Sequence, residues 1–240
     1  MQIAKPFGIP LRLHWSFVFL VVGLCAYGVA NLGWPRGLIF GGVTTATLFL
    51  SVVLHEYGHA LAARRFGIGT HHITLYPMGG AAAIERMPEE PDQEAVIALA
   101  GPATNILLAI VAGWAWLLTS HPYALMFTML NGAMGLFNLI PAFPMDGGRV
   151  LRAVLAKRMG WMRASRTAVR VGRAFVWVFL GVGLLWQQWE LLLMSMFLHV
   201  SLNAEEKRLV AMHWEATTGR PAPWMQDDDA SALPEEPSKG

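Results

Sequence analysis

Apolar residues run through this chain in blocks of membrane length, parted by short stretches where charge, proline and glycine collect. A transmembrane helix needs about 20 mainly apolar residues. Residues 13–33 and 37–66 meet that length, and the second block has no Asp, Glu, Lys or Arg from Gly37 to Leu54. No acidic or basic residue occurs from Ala95 to Met145, room for two spans with the turn signal Ser120-His121-Pro122 between them. Two shorter runs, 174–187 and 191–204, with Glu190 between them, bring the count to six. The pattern therefore predicts an all-α polytopic membrane protein of about six transmembrane helices.

One segment breaks the helical pattern. Between the second and third blocks lies GIGTHHITLYPMGGAAAIER, where Ile73, Leu75 and Tyr76 favour extended structure and Gly79-Gly80 punctuates it. We expect a short membrane-associated β-hairpin or re-entrant loop. Such backbone is tolerated at membrane depth only when it is buried in protein or lines a wet cavity.

Composition agrees with the bilayer as solvent, since 55% of residues are hydrophobic and 14% charged. The single cysteine, Cys25, excludes an intramolecular disulfide framework and a cysteine-based zinc cluster. A net charge of +2 gives no argument for a nucleic-acid partner. Its distribution is more telling: Arg149 to Arg173 holds eight of the eighteen basic residues and no acidic one, which places that segment on the cytoplasmic side. Six spans then put both termini in the cytoplasm. The N-terminus shows no cleavable signal pattern. Residues 1–216 are expected to form one membrane domain with a core over about 37–160, and 217–240 an acidic disordered tail.

Within the charge-free second block the sequence places HEYGH. His55 and His59, four apart, share one face of a helix and can ligate one zinc ion, while Glu56 beside them can take a proton from water. Ionisable groups inside a span are costly and point to function, although hydrogen-bonded packing of helices is the alternative. Two imidazoles leave a tetrahedral catalytic site one protein ligand short. The next acidic residue after Glu94 is Asp146, in NLIPAFPMDGGR. Pro141 and Pro144 interrupt the helix there, and Gly147 and Gly148 allow unusual dihedrals, so the carboxylate can be aimed sideways at a metal. Pairing of Asp146 with Arg149 is the competing reading.

These paired motifs, HEYGH at 55–59 and NLIPAFPMDGG at 138–148, resemble those of the site-2 protease family of intramembrane zinc metalloproteases. The family's Asn-x-x-Pro-x-x-Asp-Gly motif is matched here with an extra Pro-Met around Pro144. GIPLRLHWSF at 8–17, the Gly79-Gly80 pair and ALAGPATN at 98–105 are similar too, so that the likeness covers roughly residues 1–160. It implies a compact member without a PDZ or CBS module, in a cell membrane such as the bacterial inner membrane. It also implies one zinc per chain, bound by His55, His59 and Asp146, with Glu56 as general base. Asn138 would either donate to the developing oxyanion or cap the broken helix. The hairpin edge near Gly79 and Gly80 would bind an unwound, single-span or membrane-anchored protein substrate by strand addition. Asn105 reads as a helix–helix hydrogen bond and His14 as packing. A metal-binding transporter and an inactive scaffold of the same fold are the alternative functions.

Overall fold

A computed structural model describes residues 2–220 apart from Met78, Met87 and Glu89. Helices dominate: α1 Phe17–Leu32, α2 Arg36–Arg65, α3 Pro91–Thr119, α4 Pro122–Asn138, α5 Asp146–Met159, α6 Trp161–Leu185 and α7 Trp189–Thr218. By length and composition α2, α3 and α6 can each cross a membrane, and α1 is a shorter apolar helix. Their outer surfaces carry Phe19, Val22, Leu107, Ile110, Trp114 and Leu118, all exposed. Bare hydrocarbon on helices of this length suits a lipid environment.

The breaks have local causes. α3 begins at Pro91, whose missing N–H costs nothing at a first helical position, and carries Asp92 and Glu94 in its first turn, where the helix dipole favours them. It ends at Ser120 in a left-handed conformation, and α4 starts at Pro122, so the expected turn lies where its residues placed it. The apolar block ending at Met145 does not finish as one helix. It stops at Asn138, passes through residues 139–145, and resumes at Asp146 as α5. α7 continues through Thr217 and Thr218, two residues into the stretch expected to be a tail; residues 221–240 of that stretch lie outside the described residues.

The expected hairpin is present as β3 Thr70–Tyr76 and β4 Gly79–Ile84, paired antiparallel from Thr70↔Ile84 to Tyr76↔Gly79. It belongs to a larger sheet. β1 Gln2–Ala4 and β2 Leu11–Leu13 add two strands in the order β1-β2-β3-β4, and β2 runs parallel to β3 with Leu11 opposite Ile73. Ile9, Leu11, Ile73 and Leu75 point to one face and pack on Val53, Tyr57 and Ala60 of α2. Tyr57 Oη donates to Ile9 O at 3.1 Å, closing that interface. A second core joins Phe143 and Met145 to Val169 and Val176 of α6 and to Leu198, Leu202 and Leu209 of α7.

Candidate metal centre

Two faces of α2 are buried. Residues 53, 57 and 60 face the sheet, whereas His55 and His59, turned by about 200° around the helix, face α3. The surface of α3 that meets them is built from Ile97, Gly101 and Asn105, spaced by four. A Cβ on Gly101 would overlap both imidazole rings, so the absence of a side chain is what lets them fit. His59 Nδ1 donates to Ile97 O at 2.7 Å. His55 Nδ1 lies 2.5 Å from Asn105 Oδ1.

These partners fix the tautomers. A carbonyl only accepts, so His59 carries its proton on Nδ1. Asn105 Nδ2 donates to Asn131 Oδ1 at 2.8 Å, which turns its Oδ1 toward His55 and assigns that proton to Nδ1 as well. With both rings neutral the two Nε2 atoms present lone pairs, and they face each other at 3.0 Å. Asp146 Oδ2 stands 3.1 Å from the one and 3.0 Å from the other.

Three such acceptors, buried and converging, repel unless a cation, a proton or a metal ion, sits among them. A tetrahedral zinc with bonds of about 2.0–2.1 Å spaces its ligands by roughly 3.3 Å, within a few tenths of an ångström of this triangle. The donor set thus fits zinc, and the bond each imidazole makes through its far nitrogen is the usual way a ligating histidine is oriented.

Asp146 reaches the triangle because it opens α5 directly after the break. Its other oxygen, Oδ1, is 3.8 Å from Arg149 Nη1, so the pairing with Arg149 and the approach to the imidazoles coexist on two different atoms. Gly147 and Gly148 do not adopt left-handed dihedrals. They are helical, and their bareness lets α5 start against the backbone of residues 139–143. Below the break Arg152 is buried, donating to Glu94 of α3 and, at 3.2 Å, to Glu205 of α7. Its guanidinium also stacks on Phe143 and Trp161, 5.1 and 5.0 Å from the ring centroids.

Glu56 lies between the metal face and the sheet face of α2, buried, with β4 against it. A Cβ on Gly80 would overlap the Glu56 side chain, so the strand approaches the carboxylate as closely as backbone allows. A cavity of about 610 Å³ opens over His55, Glu56, His59 and Asp146 and is walled by Gly80 to Ile84 of β4. A second, more apolar one of about 450 Å³ reaches Glu56 from the side of Phe17, Phe49 and Phe137 and also touches Gly79. Asn138 lines both, while its Nδ2 donates to Met134 O at 2.9 Å, a carbonyl one turn back in its own helix. His14 is engaged elsewhere, 2.6 Å from Ser16 Oγ and stacked on Tyr76.

Asn105 does bridge helices, as its position suggested, but one of its partners is a candidate ligand. An amide inside a long charge-free helix was the available signal. The Ile97 carbonyl and the bare Gly101 had none.

Residues 43–122 and 115–179 match the model of peptidase family M50. Among curated proteins the chain is 35% identical over 212 residues to a zinc metalloprotease of Methanocaldococcus jannaschii, covering 86% of this chain and 60% of that one. It is 30% identical over 178 residues to the stage IV sporulation protein FB of Bacillus subtilis, covering 69% and 59%. The chain thus spans about three-fifths of the length of these relatives. A solved structure, the site-2 protease from Methanocaldococcus jannaschii, superposes with a TM-score of 0.66 at 34% identity, over 85% of this chain and 94% of that one.

Proposed function

This chain belongs to peptidase family M50, and on that basis we propose that it is a zinc metalloendopeptidase that hydrolyses peptide bonds within or near the transmembrane segments of membrane-anchored proteins. The observation that carries the reading is the buried triangle of His55 Nε2, His59 Nε2 and Asp146 Oδ2 beside a buried Glu56. These three atoms would hold one zinc ion per chain. Bound there, zinc would lower the pKa of a water to about 7 and polarise the scissile carbonyl.

The chain's own residues supply the rest. Glu56 accepts the proton of the attacking water and returns it to the leaving amine, a role worth about 10²–10⁴ in rate. Asn138 has two amide hydrogens and commits one to Met134 O, which leaves the other for the developing oxyanion. β4 is the edge of the sheet and walls the cavity, so an unwound substrate would add to it as a strand, next to Gly79 and Gly80 and within reach of Glu56. The apolar cavity beside it would take the substrate's side chains.

We read α1 to α4, α6 and α7 as six spans of a multi-pass cell-membrane protein with both termini in the cytoplasm. On this reading α5 and the basic start of α6 lie at the cytoplasmic surface, and residues 1–216 form the membrane domain. The deciding experiment incubates purified protein with single-span substrates, with and without a zinc chelator. Cleavage should stop with chelator and in Glu56→Gln, whose zinc content should match that of the unaltered protein; cleavage by Glu56→Gln at an undiminished rate would remove the base assignment.

A further inference from the structure

α6 changes character midway. From Trp161 to Arg173 it carries Arg163, Arg166, Arg170 and Arg173, and from Ala174 to Leu185 it carries no charge. At 3.6 residues per turn the four arginines fall within an arc of about 80°. Trp177, 70% exposed, follows one turn beyond Arg173 on the same arc. Down this face guanidinium groups give way to an indole and then to bare hydrocarbon, the order in which a bilayer passes from headgroups to acyl chains.

α7 runs alongside, and the two helices enclose a cleft of about 550 Å³. Arg166, Arg170 and Arg173 line it over a floor of buried Val169 and Leu209. Two of the three heads are held in place: Arg173 Nη2 donates to Glu206 Oε2, and Arg170 Nη2 donates to Thr167 Oγ1 at 3.2 Å. Glu206 is the acidic residue lining the cleft, so three guanidiniums against one carboxylate leave a charge of +2.

We propose that this cleft binds the phosphate of an anionic phospholipid between Arg166 and Arg170, with the acyl chains running down α6 past Trp177. Guanidinium forks match phosphate oxygens two at a time, and basic pockets between membrane helices at headgroup level are where such lipids are held. A soluble phosphate would satisfy the arginines but gain nothing from the apolar face that continues directly below them. The inference rests on the membrane reading of α6 and is independent of proteolysis.

The test titrates the full chain in detergent with cardiolipin, phosphatidylcholine or inorganic phosphate, following the unfolding temperature and the apparent Kd. Cardiolipin alone should raise the unfolding temperature. Arg166→Gln with Arg170→Gln should weaken cardiolipin on the order of 30-fold, whereas Arg158→Gln, in the last turn of α5, should leave Kd unchanged. Replacing both arginines by Lys keeps the charge but not the forks and should weaken cardiolipin by less than the Gln pair does. An unchanged Kd in the Gln pair, an equal loss in the Lys pair, or an equal shift with inorganic phosphate would overturn the proposal.

Discussion

The two sources of the candidate metal triangle are built in opposite ways. His55 and His59 come from the interior of a thirty-residue helix, buried on two faces, and their spacing is fixed by one turn of backbone. Asp146 comes from the first residue of a helix that follows a seven-residue interruption, and no periodicity fixes where it points. The helical half needs only lateral support, supplied by Ile97, Gly101 and Asn105. The interrupted half needs a brace, and Arg152 supplies it by joining Glu94, Glu205, Phe143 and Trp161 under the break. Precision on one side comes from secondary structure, and on the other from a buried charge network.

Cutting each half should therefore give different failures. The largest effect is expected from Asp146→Ala, which removes one of three converging acceptors: zinc content measured on purified protein should fall to background, and full occupancy would strike Asp146 from the ligand set. Next comes Arg152→Ala. It strands Glu94 as a buried carboxylate without its partner, at a cost of about 3–5 kcal/mol. Thermal unfolding should show that loss, and the Asp146 side should lose order before the helical side; an unchanged unfolding temperature would mean that the brace carries no load. The smallest change is expected from Asn105→Ala, which frees the His55 ring to rotate and should weaken zinc about 10–100-fold without unfolding the protein. Zinc affinity measured by competition with a chelator checks it, and equal affinity would reduce Asn105 to a link between helices.

The same contrast explains what the sequence made legible. HEYGH could be read because a four-residue spacing on a helix has one geometric meaning. Asp146 could be read because the preceding fifty residues offered no other charge. The β3–β4 hairpin announced itself through Ile73, Leu75 and the glycine pair. β1 and β2 did not, because three-residue strands flanked by Pro6, Gly8 and Pro10 show no alternation, and the pairing of β2 with β3 spans two helices. Arg152 lay in a basic run that fitted the positive-inside pattern, so nothing marked it as buried; its partners are 58 and 53 residues away. The support for His59 is a main-chain carbonyl, which every residue possesses.

The parallel pairing of β2 with β3 also sets an order of events during synthesis. Leu11 leaves the ribosome early, yet its partner Ile73 is 62 residues behind it. At about 5–20 residues per second the first strand waits several seconds, while α1 and α2 are made, before it can enter the sheet. β4 comes later still, so the wall beside Glu56 is closed by strands from both sides of those two helices. Until then the chain holds HEYGH without the strand that packs against Glu56, and that wall is completed only after both helices have been made.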